Sequence, residues 1–126
     1  MNRPSSLPNE LRAFLYSCID SMEQADLLVR MRRAPHRRTV RELAEETGLA
    51  SGMVRHHLET MAARGLLHVD VGEPTTYQYA PDSADMRRYS DLLAEYYATD
   101  RDGVARYLLS RAARTFADAF KLRKDE

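Results

Sequence analysis

The chain of 126 residues contains no tryptophan and one cysteine, Cys18. A lone thiol can neither close an internal disulfide nor by itself build a thiolate metal cage. No run of 18 apolar residues occurs, so no transmembrane helix is expected. The opening MNRPSSLPNE carries no apolar signal core, and a cytoplasmic location is the expectation. Net charge is also missing, at +0 from 19 basic and 19 acidic residues. Motifs of catalysis are absent too: no glycine-rich phosphate loop, no H-E-x-x-H or C-x-x-C, no nucleophile elbow. The acids Asp20, Glu23 and Asp26 suit a helix N-terminus, where the macrodipole favours them, and Glu45 and Glu46 read as a solvated helix face. His36, His56, His57 and His68 have no carboxylate at ligand spacing, and the adjacent pair points apart on a helix, so neither metal nor cofactor is expected. His57 reads as a half-buried helix residue. No enzyme is expected.

What is present is a core-forming composition, 44% hydrophobic and 30% charged, which excludes a disordered tail and fits one core. The most patterned stretch is Thr39–Leu67, TVRELAEETGLASGMVRHHLETMAARGLL. Thr39 and Glu42 have capping-box spacing, and Val40, Leu43 and Ala44 follow at helical spacing. Gly48 stops that helix. Ser51 is placed to cap a second helix that buries Val54, Leu58 and Met61 and ends at Gly65. Leu66–Val71 alternates as a half-buried strand, with Leu67, Val69 and Val71 inward. Turn residues Gly72–Thr76 lead to a returning strand, Tyr77–Ala80.

The run from about Asp20 to Ala80, carried by RELAEETGLASGMVRHHLETMAARGLL and the hairpin-like stretch ending TTYQYAP, resembles a winged helix-turn-helix domain of bacterial transcription regulators, in the broad style of the ArsR and MarR families. The resemblance implies a mainly α fold with a small β-hairpin, whose second motif helix enters the DNA major groove. It implies base contacts from the N-terminal half of that helix: Ser51, Gly52, Arg55 and His56. Arg55 is the guanine reader, because its fork matches O6 and N7. The wing tip carries Glu73 and no Lys or Arg, leaving Thr75 and Thr76 for phosphate.

Charge by segment points the same way. Residues 30–68 hold eight arginines against four glutamates, about +4. Arg32, Arg33, Arg37, Arg38 and Arg41 surround Thr39, where a helix N-terminus can itself present N–H groups to an anion. These residues are expected to hold phosphates; the bland alternative is a solvated loop.

Upstream, Met1–Pro8 reads as a lead-in. A first helix of about ten residues starts at Asn9 and carries Leu11, Phe14, Leu15 and Cys18. A second, capped by Asp20 or Ser21, runs through Arg33 and stops before Pro35. Downstream of Pro81, Asp82 or Ser83 caps a further helix. The chain thus divides into residues 1–81, the winged segment with its N-terminal helix, and residues 82–126, a helical extension. Thr99–Gly103 interrupts that extension, either as a break with Asp102 capping a new helix or as one polar turn of a single helix; the break is the expectation. Met86, Tyr89, Leu93, Tyr96, Tyr97, Val104, Tyr107, Leu108 and Phe116 form an apolar stripe, continued to Phe120, expected to pair two copies of the chain. The expected partners are double-stranded DNA and a second copy, with no membrane. The alternative is a winged-helix adaptor that binds protein.

Overall fold

Three of the helix starts are fixed by side-chain caps that the sequence spells out. Thr39 and Glu42 form the full capping box: Thr39 Oγ1 accepts from the Glu42 N–H at 3.0 Å, and Glu42 Oε1 accepts from the Thr39 N–H at 2.9 Å. Ser21 and Ser83 cap in the same way, accepting from Gln24 and Met86. The computed structural model describes residues 7–124, with side chains as far as Arg114. Their order is α1 Asn9–Cys18, α2 Met22–Arg33, β1 Arg38–Thr39, α3 Val40–Thr47, α4 Ser51–Ala63, β2 Leu67–Asp70, β3 Thr76–Tyr79, α5 Ala84–Thr99 and α6 Arg101–Lys124. The protein is therefore mainly helical, with one small antiparallel sheet of strand order β1-β3-β2. Among the described residues no helix is long and apolar enough to cross a membrane.

Gly48 ends α3 in the left-handed region at φ 79°, as a C-terminal glycine commonly does. A turn of residues 48–50 leads into α4. Its N-cap is Ala50 and not Ser51, and no side chain caps it, because Ala50 is the last residue with extended backbone and Ser51 already lies in the first turn. The break after α5 falls two residues earlier than Asp102 would place it, with Asp100 and not Asp102 at the start of α6. Asp100 leaves the helical region, and its Oδ1 accepts from the Gly103 N–H at 3.1 Å. The absent side chain of Gly103 lets that carboxylate come close.

One core cluster takes in residues on both sides of Pro81. Leu11, Leu15, Leu28, Met31, Leu43, Val54, Leu58, Met61, Leu66, Leu93 and Val104 are all essentially inaccessible. Burying each such side chain contributes roughly 1.5–3 kcal/mol. Leu7, expected in the lead-in, is also part of this core. The apolar stripe expected to face a second copy is largely used here: Leu93, Tyr97, Val104 and Leu108 are buried within the chain, since α5 and α6 pack against α1 and α2. Met86, Tyr89, Tyr96 and Tyr107 are partly buried against the same cluster. The side chains of Phe116, Phe120 and residues 121–124, together with residues 1–6 and 125–126, lie outside the described residues.

The hairpin departs from its expected pattern. Leu67 pairs with Tyr79 and Val69 with Tyr77, so all four share one face. Exposure rises along that face, from 4% at Leu67 to 36% at Val69 and 83% at Val71. The hairpin leaves the core as it runs to its tip: along β2 the burial ends after Leu67, while Tyr77, opposite Val69, stays buried. At its base, Gly65 turns at φ 84°, and the Asp82 N–H bonds the Gly65 carbonyl at 2.8 Å. A Cβ there would meet Asp82 Oδ2 at 2.5 Å. Gly65→Ala should therefore lower unfolding stability by about 1–3 kcal/mol, read by urea denaturation, whereas Gly72→Ala, free of both constraints, should change it far less.

Candidate functional site

The candidate site is the outer side of α4, and a buried polar knot decides where that helix points. Gln24, fully buried in α2, accepts at Oε1 from the Asp20 N–H at 3.0 Å and from Arg64 Nη1 at 3.4 Å. Its Nε2, which can only donate, lies 3.0 Å from His57 Nδ1 on α4. Arg64, at the C-cap of α4, also donates to the Cys18 carbonyl at 2.7 Å and to Asp20 Oδ1 at 3.1 Å. One carboxamide thus joins the α1–α2 corner to both the middle and the end of α4. His57 is half-buried, as expected. Burial, then the neighbouring His56, hold its pKa below the ordinary value, against the opposing pull of Glu23 and Asp20. The amide donor on Nδ1 requires the same neutral ring.

With Val54, Leu58 and Met61 turned into the core, α4 exposes Ser51, Gly52, Met53, Arg55, His56 and Glu59. Ser51, Arg55 and Glu59, spaced by four, form one stripe along a groove of about 910 Å³ between α4 and the hairpin. Thr39, Arg41, Thr75, Tyr77 and the apolar Val69, Val71, Ala62 and Ala63 complete its walls. Tyr77 feels both charges of the stripe: burial, then Glu59, raise its pKa, and Arg55 lowers it.

The expected phosphate holders are only partly brought together. Thr39, Arg41 and Thr75 line the groove with Ser51 and Arg55, and Gly52 and His56 lie exposed on the same helix. Arg38 is withdrawn: it is buried in β1, and its guanidinium bonds Glu46. Arg32 turns toward the C-terminal helices and pairs with Asp91 of α5 at 2.9 Å. Arg37 reaches over the sheet to Asp70 at 3.1 Å, and Thr76, opposite Asp70, shares that face, away from Val69 and Tyr77. Arg33 is exposed at the end of α2. The N-terminus of α3 is not an open anion site, since its capping box places the Glu42 carboxylate there.

Three acids also hold posts that spacing alone did not mark. Glu46 is exposed, as expected of a helix face, but it also pairs with two arginines. Burial opposes its ionisation, but Arg30, at 3.0 Å, and Arg38 together hold its pKa below the ordinary value. Asp26 takes Arg30 Nε at 2.6 Å and the Tyr97 hydroxyl at 2.8 Å, and burial followed by that bond pushes the tyrosine up to about 12. Asp20 serves Arg64. Among the described residues no group of three His, Cys, Asp or Glu side chains is arranged to hold a metal.

The neutral state of His57 has a pH signature. A ring that resists protonation in the fold but accepts a proton near 6.5 when unfolded contributes stability that is full above that value and is lost as pH falls below it. The midpoint of thermal unfolding should drop between about pH 7.5 and 5.5, above the range where carboxylates titrate, and His57→Gln should flatten that segment when followed by calorimetry. An unchanged slope in the variant would remove His57 from the account.

Comparison with protein-family models, with curated proteins and with solved structures found no match to this chain.

Proposed function

We propose that the chain is a winged helix-turn-helix DNA-binding protein acting as a transcription regulator, with α4 entering the major groove. The order α2-β1-α3-α4-β2-β3, with a short turn between α3 and α4 and a hairpin beside them, supports this reading. The observation that carries it is the treatment of arginine. Of the eight arginines between residues 30 and 68, Arg30, Arg32, Arg37, Arg38, Arg41 and Arg64 are in ion pairs. Arg55, exposed on α4, is in none among the described residues. Its guanidinium, flanked by Ser51, Gly52 and His56, is free to take guanine O6 and N7, a bidentate match worth about 1–3 kcal/mol of discrimination.

Phosphate contact then falls to the exposed arginines Arg33, Arg37 and Arg41. The ion pairs of Arg37 and Arg41 are solvent-exposed, with side chains 64% and 88% accessible, and such pairs contribute little and can exchange carboxylate for phosphate. Three contacts give a log–log salt slope of about −3, shallower than the roughly −4 to −5 that five would give. A protein-binding adaptor is the second reading, favoured by the exposed Val69 and Val71 on the groove wall; it shows no such slope with duplex DNA.

Fluorescence anisotropy with duplexes across a salt series tests both. Arg55→Ala should cost about 1–3 kcal/mol on a preferred site and relax preference at one base pair. Arg41→Ala should weaken all duplexes alike and reduce the slope by about one. Binding to no duplex at low salt would leave the adaptor.

A further inference from the structure

The reading of α4 as a DNA-contacting helix leaves one residue unexplained: an acid in the middle of the face. Glu59 is exposed, lines the groove with Arg55 and Ser51, and makes no ion pair or hydrogen bond among the described residues. A carboxylate there repels phosphate and gives nothing to non-specific binding, so something else must compensate it. Arg55 does not. The two are four residues apart, yet they form no ion pair, in keeping with arginine-before-glutamate being the weaker order on a helix. Both charged ends are left open toward the same side.

We propose that Glu59 reads a cytosine amino group about two base-pair steps from the guanine taken by Arg55; this rests on the DNA reading of α4. A carboxylate only accepts hydrogen bonds. In the major groove guanine offers two acceptors, thymine an acceptor and a methyl group, and adenine an amino group with the N7 acceptor beside it. Cytosine offers N4–H₂ alone, and is the base edge that a carboxylate fits without repulsion. Spacing sets the separation. Four residues of helix advance about 6 Å, against about 3.4 Å per base pair, which is roughly two steps. The acid therefore acts as a filter, rejecting sites that would leave it facing an acceptor and lowering non-specific affinity at the same time.

Selection from a pool of randomised duplexes, run with wild type, Glu59→Gln and Arg55→Ala, tests this. Wild type should enrich guanine and, about two steps away, cytosine. A glutamine carboxamide matches adenine N6 and N7, so Glu59→Gln should turn the cytosine preference into adenine, changing the C:A ratio on the order of tenfold or more, with guanine retained. Arg55→Ala should lose the guanine and keep the cytosine. Circular dichroism checks that each surface variant is folded. Identical preferences in wild type and Glu59→Gln would overturn the assignment, as would wild type binding duplexes without enriching any base. Failure of wild type to bind any duplex would be a different result, removing the DNA reading itself.

Discussion

The direction of α4 depends on the hydrogen bonds of a single buried carboxamide. Gln24 has no access to solvent, so each of its polar atoms must find a partner inside the protein, and leaving one unmade costs about 1–3 kcal/mol. Its oxygen is satisfied by Asp20 and Arg64, and its nitrogen by His57. Two of those three partners belong to α4 or its cap. The helix cannot roll or slide against the α1–α2 corner without breaking several of these bonds together. Hydrophobic packing of Val54, Leu58 and Met61 determines which side of α4 is inward; the polar knot determines its position along that side. Exposure of Ser51, Arg55 and Glu59 on one stripe follows from both.

A second network governs charge. Tyr97 on α5 bonds Asp26 on α2, Asp26 holds Arg30, Arg30 meets Glu46 on α3, and Glu46 receives Arg38 from β1. These links tie the C-terminal helices to the segment around β1 and α3. They also explain how a stretch that is basic by count offers few open cations. Arginines there serve largely to hold helices together, and only a minority face solvent without a firm carboxylate. This is why the free guanidinium of Arg55 weighs more than the arginine count around it.

The parts legible in the sequence are those set by neighbours within a turn. The Thr39/Glu42 box, the left-handed stop at Gly48 and the inward set of α4 follow from local chemistry and periodicity, and so does the strand pairing across Gly72–Thr76. What could not be read depends on partners far along the chain. Arg38 and Glu46 are eight residues apart and Asp26 and Tyr97 seventy-one, and no periodicity reports such pairs. Gln24 stands where a capping-box residue would, and its carboxamide goes instead to α4. Val69 and Val71 alternate like core residues, but a hairpin running past the end of its helix leaves them in the open. The aromatic stripe of α5 and α6 signals burial correctly, while the covering surface is the chain's own α1 and α2. Periodicity reveals that a face is covered, not by what.

A chain that binds DNA as proposed must meet it with α4. Amide chemical shifts followed by two-dimensional NMR, as a mixed-sequence duplex is added at low salt, test this most directly. Shifts that cluster on Ser51–Glu59 and Arg41, and that fade as salt is raised, are the predicted result. Shifts gathered instead on α5 and α6 around Tyr96 and Tyr107, or none anywhere, would contradict it.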